Sequence, residues 1–569
     1  MFSVILIVSW LLFASIGTSL SLVDEQQRKS LRDLKSTSKT QASGSEQTYD
    51  TSNLIFASFL GLLQQWPNSF AYSGHSIITG TIPPSTPLYH SLEPEAEPPQ
   101  GMEWLAFDPE QSYQYHSLRG GKTKLLTYVS ERPLRIIYID GQSASLGTPG
   151  FMDSQAVLID GKVEEEWGEG DQLDGEYKRA RNLCAIGEEW GFEGVVRMNT
   201  GFELIWCDFK KGLKLIGKLN FTKKKLNSAQ PTYGPSSVLS NRPSHPFYYS
   251  STWMWLQSAS WHNDAPGEAR VKLDPSGFVS FYDRINSLNK KRRADGTENS
   301  DRSNHRLYGV SNGDVVEIRK RLIRALKRKN EGRITDQVDW TTIALTISQR
   351  YGSRLEELSE VLKDNTKNAT MTALQVRRVT YEMMMPYVDF SEYDSKDFRW
   401  LEPSIAECTT AYTFVQLVND GDSTESIRTI KKSIEGTLRR ICETVTEMFS
   451  ETLAMELPVA EVQHNPKVER IAQAKVSGWK SRTDQLIKWL GWSWKSCDSS
   501  WLADKKDICL PPAWPLVNTR LNSTKISQFP VLSYLNPNMR NNLKLPSLSC
   551  RSVEKLSDFD LTMIQAPCF

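Results

Sequence analysis

The sequence predicts an α+β protein: an N-terminal domain with a mixed, largely antiparallel sheet, then a C-terminal helical bundle with a disulfide-bearing tail. Residues 54–287 combine short apolar runs with aromatic residues and glycine, which is typical of strands joined by turns. Residues 306–490 instead repeat apolar residues every three or four positions, which indicates amphipathic helices. Six of the eight cysteines follow residue 400, so disulfides are expected mainly in the C-terminal part.

The chain begins with an apolar segment, MFSVILIVSWLLFASIGTSLS, that ends in small residues before the first charge at Asp24. This pattern predicts a secretory signal peptide over 1–21, and an uncleaved membrane anchor is the alternative. Residues 22–53 are polar and lack aromatic residues until Tyr49, which predicts a disordered lead-in. Export would place the chain in an oxidising compartment, which agrees with its even number of cysteines.

The α+β domain is expected over 54–287. In it, LRIIYID (134–140) predicts a buried strand and EYKRARNLCAIGEEWG (176–191) predicts a helix that stops at Gly191. ARVKLDPSGFVSFYD (269–283) predicts a hairpin, because Asp-Pro-Ser-Gly joins two alternating runs in the order that a tight turn favours. A meander is predicted from three apolar runs separated by turn residues: 194–199, 202–209 and 213–221.

Residues 288–305 contain almost no apolar side chains and predict an exposed linker loop, in which the run KKRR could be cut by a processing protease. The basic segment 319–333 fits the solvent face of a helix at the start of the helical domain. The tail, 491–569, is rich in Pro, Trp and Cys and is expected to wrap the bundle irregularly. A long helix is predicted over 423–454 from one apolar stripe: Ile427, Ile430, Ile434, Leu438, Ile441, Val445, Met448 and Thr452.

The cysteines divide into two groups. For Cys184 and Cys207 the sequence leaves two alternatives, a disulfide or two buried free thiols. A local loop between Cys497 and Cys509 is the favoured bridge of the tail, although connectivity cannot be deduced from a sequence. Since no pair has the CxxC spacing, neither a zinc ribbon nor a thioredoxin-like redox site is supported. The disulfide candidates are Cys408, Cys442, Cys497, Cys509, Cys550 and Cys568.

Acidic and basic residues balance to a net charge of +1. The chain therefore has no overall field that would hold nucleic acid, and no membrane contact is expected beyond the N-terminal segment. Three sequons, at Asn220, Asn368 and Asn522, are expected to carry glycans if the chain is exported.

The first candidate for chemistry is RIIYIDGQSASLGTPGFMD (135–153), in which a loop of small residues follows a predicted strand. Its Gly-Gln-Ser143-Ala-Ser145 is similar to the nucleophile elbow of serine hydrolases, but Ser145 replaces the second glycine and no helix follows. Ser143 is thus a candidate nucleophile, while a ligand-facing loop and a structural turn are the alternatives, with the turn favoured. Pro149 lacks an N–H donor, which argues against a phosphate cradle. Seven scattered histidines without an HExxH motif predict no metal site, and no cofactor is predicted.

TPLYHS (86–91) and the predicted strands after it resemble the order of motifs in ADP-ribosyltransferases. The resemblance implies that His90 orients the nicotinamide ribose, that Tyr113 stacks on the nicotinamide ring and that Glu203 is the third member of the site. The sequence departs from that family at Ser91, where the family has a glycine that lets the backbone approach the nicotinamide amide. Such an enzyme would also need its NAD outside the cytosol.

Nearly the whole mature chain resembles an uncharacterised family of large secreted proteins of filamentous ascomycete fungi. The resemblance implies secretion and a shared fold, and it implies no particular activity. It is carried by these stretches: 56–84, 103–113, 134–144, 190–209, 266–283 and 489–497.

The sequence therefore predicts a secreted glycoprotein of the surface or matrix that binds a glycan or another protein without catalysis. Trp253, Trp255 and Trp261 could form a sugar-stacking platform, and a buried aromatic cluster is the commoner arrangement. The alternative is an enzyme of the α+β domain, with the ADP-ribosyltransferase-like interpretation ahead of the serine hydrolase.

Overall fold

A computed structural model of the chain describes these residues: 50–64, 74–112, 124–145, 150–164, 173–199, 201–220, 267–293, 305–331, 338–393, 398–414, 423–455, 457, 465–492, 507–510 and 549–552. Its strands are β1 (Ser76–Ile82), β2 (Pro87–Leu92), β3 (Glu103–Ala106), β4 (Lys124–Ser130), β5 (Leu134–Ile139), β6 (Gly194–Asn199), β7 (Gly201–Trp206), β8 (Leu213–Asn220), β9 (Lys272–Leu273), β10 (Val279–Ser280), β11 (Asp507–Leu510) and β12 (Ser549–Ser552). Its helices are α1 (Ser52–Leu60), α2 (Asp153–Ile159), α3 (Leu173–Trp190), α4 (Asn286–Arg293), α5 (Asn312–Asn330), α6 (Trp340–Lys363), α7 (Ala369–Met384), α8 (Glu402–Thr410), α9 (Glu425–Leu453) and α10 (Pro466–Leu490).

Strands β1 to β10 form one curled, mixed sheet in the order β10-β1-β5-β6-β7-β3-β2-β4-β8, and β9 also pairs with β1. Only β5 and β6 are parallel among the described strand pairs. The predicted fold class, a largely antiparallel sheet followed by a helical region with a disulfide, is confirmed.

The parallel pair β5 and β6 is joined by a crossover through α2 and α3, as parallel strands require. Gly191 ends α3 with φ of +93°, a conformation that costs glycine little, and β6 begins three residues later. The strand predicted over 134–140 and the helix predicted over 176–191 are both present. Because β5 and β6 are parallel, the loops that follow them lie at the same end of the sheet, beside the C-terminal ends of both strands.

Helices α2 to α5 cover one face of the sheet. Alternate residues of the central strands, such as Ile137, Val195 and Ile205, point into this layer. The core there also takes Leu183 of α3 and Ile318 of α5. Thus α5, which the sequence places at the start of the helical domain, packs with the sheet.

Helices α1 and α6 to α10 form the layer on the opposite face, and they share one continuous core with the sheet. The long α9 begins at Thr424, whose Oγ1 accepts a hydrogen bond from the Ile427 N–H at 3.2 Å. All eight residues of the stripe predicted for this helix are buried. Burying one such aliphatic side chain contributes about 2 kcal/mol relative to leaving it exposed, so the stripe fixes α9 in the core.

The predicted hairpin over 269–283 is wrong in its pairing, because β9 and β10 each pair with β1 rather than with one another. The turn itself is present at Pro275–Gly277, where the Asp274 carboxylate accepts from the Ser276 N–H at 3.1 Å. Likewise β8 leaves the predicted meander and pairs with β4, whereas β6 and β7 form the expected hairpin. Tertiary pairing overrode the local pattern in both places.

The segment predicted as an exposed loop over 288–305 begins as helix α4. Arg292 is buried, stacks over the Tyr282 ring at 4.6 Å, and donates to the Phe281 carbonyl at 3.0 Å. His305 is also buried. Within the KKRR run, Arg292 is therefore not exposed to a protease. The lead-in, in turn, ends earlier than predicted, since α1 starts at Ser52.

Two disulfides lie in the described residues. Cys408 bridges to Cys442 between α8 and α9, as a pair of the predicted candidates. Cys184 bridges to Cys207 with 5.4 Å between the Cα atoms, which removes the free-thiol alternative. In the tail, β11 and β12 pair with Cys509 opposite Cys550, whereas Cys497 and Cys568 lie outside the described residues and the Cys497–Cys509 bridge stays a prediction.

Candidate functional site

The loop 141–145 follows the C-terminal end of β5, and its side chains point inward. Gly141 has φ of +71°, which lets the chain turn sharply out of the strand. The hydroxyl of Ser143 donates to the Ile139 carbonyl at 2.7 Å, and Gln155 Nε2 donates to the Ser143 carbonyl at 2.6 Å. The loop is thus a buried turn tied to its own strand and to α2.

A second set of hydrogen bonds ties this loop to β6. Ser145 Oγ lies 3.3 Å from Asn199 Oδ1 and 3.4 Å from Gln142 Oε1. Gln111 Nε2 donates to the Asn199 carbonyl at 3.2 Å. All four side chains are buried, and Gln111 Oε1 has no hydrogen-bond partner among the described residues.

Arg197, on β6, is the centre of this polar region. Its Nε and Nη2 donate to Glu203 Oε1 at 3.1 and 2.6 Å, and its Nη1 donates to Gln155 Oε1 at 2.9 Å. It also pairs with Glu176 of α3, which in turn pairs with Arg179. We call Arg197, Glu176, Glu203 and Gln155 the arginine network; it connects β6, β7, α2 and α3.

The charges in the arginine network set its protonation. Burial opposes the charge of Arg197, but Glu176 and Glu203 outweigh it and raise its pKa. Burial likewise opposes ionisation of Glu176, yet Arg197 and Arg179 hold the pKa of Glu176 below its usual value. For Glu203 burial wins over the attraction of Arg197, so the pKa of Glu203 is raised. Burial and the neighbouring Glu176 thus oppose Arg197 at Glu203, whereas the two arginines prevail at Glu176.

Asp140 is a second buried acid at the same edge, on the opposite face of β5. Its Oδ1 accepts from the Ser76 N–H at 3.0 Å. Burial raises the pKa of Asp140 to about 7, although its backbone hydrogen bonds act in the other direction. This carboxyl joins the ends of β1 and β5.

His90 and Glu203 are not brought together. On β2, His90 shares its face with Leu88 and Leu92, which lie in the core under the helical layer. On β7, Phe202 and Leu204 lie in that same core, so Glu203 between them points to the other face. His90 Nδ1 instead donates to the Trp104 carbonyl at 2.7 Å, and burial lowers the pKa of its ring.

Tyr113, the third residue of the ADP-ribosyltransferase-like interpretation, lies outside the described residues. Ser91, where that family has glycine, is buried and its hydroxyl donates to the Ser112 carbonyl. The serine-hydrolase arrangement is also not assembled around Ser143. A nucleophile needs a base to accept its proton, whereas the Ser143 hydroxyl donates to a backbone carbonyl.

In contrast to the buried polar groups of the sheet, the helical layer carries a group of exposed aromatic rings. Tyr381, Phe390, Tyr393 and Trp400 form a chain of ring contacts with centroids 5.3 to 6.3 Å apart. Phe390 is 49% exposed and Tyr393 56% exposed, and the nearby Met385 is also exposed. We call these five residues the aromatic surface.

The turns around the aromatic surface are locally fixed. Phe390 begins a 3₁₀ turn, Phe390–Glu392, whose cap Asp389 accepts from the Ser391 N–H at 3.0 Å and from the Ser391 hydroxyl at 2.7 Å. Tyr381 is anchored by a ring contact with the buried Phe449 of α9 at 5.8 Å. Rings held in place in this way lose little freedom when they meet a ligand.

Sequence reasoning missed this surface. The signal was the composition of YEMMMPYVDFSEYDSKDFRW (381–400), which holds six aromatic residues in twenty without helical spacing in its second half. The tryptophans that it did single out, Trp253, Trp255 and Trp261, lie outside the described residues.

Two of the three sequons are described. Asn220 is exposed at the end of β8, and Asn368 is exposed at the start of α7. Asn368 Oδ1 caps the helix by accepting from the Met371 N–H at 2.8 Å, which leaves its amide nitrogen as the atom that a glycan would use. Asn522 lies outside the described residues.

Two further features bear on the kind of site. Among the described residues, no three or more His, Cys, Asp or Glu side chains are grouped so that they could hold a metal ion. The helices within the described ranges include none long and apolar enough to span a membrane.

Comparison with known proteins places one part of the chain. Residues 116–233, which contain β4 to β8, match the family model described as the YPL277C N-terminal domain. Two proteins of Saccharomyces cerevisiae (strain ATCC 204508 / S288c), the uncharacterized proteins YOR389W and YPL277C, are each 29% identical over 205 and 206 residues, covering 28% of this chain. The matches cover 32% and 41% of those two proteins, so the chain spans less than half of their length.

Among solved structures, the crystal structure of the M. tuberculosis MbcT-MbcA toxin-antitoxin complex matches with a TM-score of 0.18 and 13% identity. That match covers 25% of this chain and 87% of the other, and a TM-score of this size carries no argument about fold or function. The loop 141–145 and the arginine network lie within the residues 116–233 that match the family model.

Proposed function

We propose that the protein is an exported glycoprotein that binds a glycan or another protein through the aromatic surface and performs no catalysis. The observation that carries this proposal is the exposure of Phe390 and Tyr393 in a fixed cluster of rings. About half of each ring is exposed to water, and contiguous exposed apolar groups mark interaction sites. Aromatic faces suit both the C–H faces of sugars and the hot spots of protein partners.

Export is supported by three independent features. The apolar N-terminal segment has the composition of a signal peptide. The Cys184–Cys207 and Cys408–Cys442 bridges persist in oxidising compartments and are rare in the cytosol. The described sequons, Asn220 and Asn368, are exposed. The sequence resemblance to secreted proteins of filamentous ascomycetes points the same way.

The absence of catalysis is supported by where the polar candidates lie. The Ser143 hydroxyl is bound to a backbone carbonyl, and His90 and Glu203 face opposite sides of the sheet. The arginine network is closed on itself through Glu203, Glu176 and Gln155. These polar groups hold elements together, a role that needs no substrate.

The test is binding of cell-wall glycans, measured by calorimetry and by thermal shift, with the wild-type protein and Phe390→Ala and Tyr393→Ala variants. Losing one stacked ring should weaken binding at least tenfold without lowering the melting temperature by more than a degree or two. Tyr308→Ala is the matched control, because Tyr308 is also partly exposed but lies outside the aromatic surface. Stabilisation by NAD alone would overturn the proposal. So would variants that both bind glycans and protein partners with the same affinity as the wild-type protein.

A further inference from the structure

Strands β11 and β12 of the tail bring two cysteines to directly opposite positions. The two strands pair antiparallel, and their register places Cys509 opposite Cys550. The register runs without a shift from the pair Asp507 and Ser552 to the end of the ladder, so the two cysteines lie inside a regular pairing.

The register alone brings these cysteines to bridging distance. Directly opposite residues of an antiparallel pair have Cα atoms about 4.5 or 5.5 Å apart, depending on whether the pair exchanges hydrogen bonds. Such residues also share one face of the ladder. Disulfides usually join cysteines whose Cα atoms are about 4.4 to 6.8 Å apart. Both kinds of opposite position therefore suit a bridge between Cys509 and Cys550.

The ladder of β11 and β12 is too short to be stable alone. Each strand has four residues, and among the described strands neither one pairs with the large sheet. A two-stranded sheet is marginally stable at best in water. The two strands also lie about forty residues apart along the chain, so pairing them costs loop-closure entropy. A disulfide removes much of this cost because it constrains the unfolded chain as well.

The other cysteines leave this pairing open. The two disulfides of the described residues use four of the eight cysteines. The remaining four are Cys497, Cys509, Cys550 and Cys568, which could pair in three ways. The local loop between Cys497 and Cys509 is favoured by spacing, but it would leave Cys550 opposite a cysteine that is already bonded. Only one of the three ways joins the two cysteines that the strands place opposite each other.

We propose that Cys509 and Cys550 form a disulfide that holds β11 against β12. One thiolate attacks the disulfide of a protein thiol–disulfide oxidant, and the other thiolate then displaces the oxidant from the mixed disulfide. One S–S bond forms in this chain, and its two electrons and two protons reduce the disulfide of the oxidant to two thiols. The step rests on the export proposed above, because such oxidants act in oxidising compartments.

Peptide mapping of the full chain, secreted by a eukaryotic host, tests the pairing. Free thiols are blocked before the protein is unfolded, and trypsin digestion follows without reduction. We expect 507–520 to be joined to 545–551 in most molecules, and reduction should separate them. Trypsin places the four cysteines of the tail in four separate peptides: 496–505, 507–520, 545–551 and 556–569.

Two double variants test whether the bridge holds the strands together. Replacing Cys509 and Cys550 by serine should speed hydrogen exchange in 507–510 at least tenfold, because the ladder loses its crosslink. Replacing Cys497 and Cys568 by serine is the matched control and should leave both this exchange and the proposed bridge unchanged. Equal exchange rates in the two variants would contradict a holding role. The peptide map of the wild-type protein needs neither variant, so it decides the pairing even if a variant does not fold.

The map also separates this proposal from export. If 507–520 is joined to 496–505 or to 556–569, or carries a blocked thiol while Cys184–Cys207 and Cys408–Cys442 are intact, the proposed bridge is wrong and export still stands. If the chain in its own cells retains Met1 and carries all its cysteines as thiols, export is wrong, and the bridge with it.

Discussion

The arginine network and the aromatic surface invert the usual distribution of polar and apolar groups. Beside the loop 141–145, charged and amide side chains are buried among the sheet and the helices α2 and α3. On the helical layer, about half of each of the Phe390 and Tyr393 side chains is exposed to water. A buried polar group and an exposed ring therefore point to different roles. A buried polar group that is paired inside the protein specifies the fold, whereas the exposed part of a ring is available to a partner.

The largest expected effect is on the arginine network. Arg197→Met would leave Glu176 and Glu203 buried without their shared cation, so we expect a loss of about 3–5 kcal/mol in the free energy of unfolding. Denaturant unfolding followed by fluorescence measures this loss.

The control is Arg132→Met, which breaks a pair with Glu193 whose N–O distance is 2.6 Å but whose arginine is 43% exposed. Exposed pairs contribute about 1 kcal/mol or less. If the two variants lost equal stability, the arginine network would not be the structural centre described above.

The next effect is a dependence of stability on pH through Asp140. Its pKa is raised from 3.8 to about 7 in the folded protein, so the folded state holds the proton more tightly than the unfolded chain does. Its contribution is therefore fully present below pH 3.8 and is lost as the pH rises through 7, by at most about 4 kcal/mol. Asp140→Asn, which keeps the acceptor for the Ser76 N–H, should remove this part of the pH profile and stabilise the protein at pH 8. A wild-type minus variant difference that is flat from pH 4 to 8 would contradict the burial argument.

A smaller effect is expected at Asn368, on the exposed side of the comparison. Asn368→Ala removes both the sequon and the cap of α7, whereas Asn368→Asp removes only the sequon. In protein made without glycans, the alanine variant should lose about 1 kcal/mol and the aspartate variant should lose almost nothing. Thermal unfolding of the two variants side by side measures the difference, and equal losses would show that the cap contributes nothing.

The smallest effect on stability is expected for the aromatic surface. Tyr393→Ala should change the free energy of unfolding by no more than about 0.5 kcal/mol, because most of this ring is already in water. A loss of several kcal/mol would mean that the ring belongs to the core, and the comparison between the two regions would fail.

The spacing of apolar residues predicted a helix or strand well where one face of that element is buried. The stripe of α9, the strand β5 and the helix α3 all follow directly from the spacing of their apolar residues. Pairing between elements was harder, because β8 and β9 choose partners distant in sequence that no local pattern encodes. The polar composition of 288–305 predicted an exposed loop, but near the start of this segment Arg292 is buried by stacking on Tyr282.

The candidate site was predicted only in part for a similar reason. Sequence identified the loop with Ser143 and favoured a structural turn, which agrees with the hydrogen bond from Ser143 to Ile139. It could not show that His90 and Glu203 face opposite sides of the sheet, because that depends on how β2, β3 and β7 pair. The aromatic surface needs the turns after α7 to gather its rings, and spacing along the chain does not contain this information.

The most direct test of the central claim is a hydrogen–deuterium exchange footprint of the full chain with a ligand that stabilises it. We expect protection in 381–400, around Phe390 and Tyr393, with no change in the loop 141–145 or around Arg197. Protection confined to the loop 141–145 and the arginine network, with 381–400 unchanged, would contradict it and move the binding site to the edge of β5 and β6.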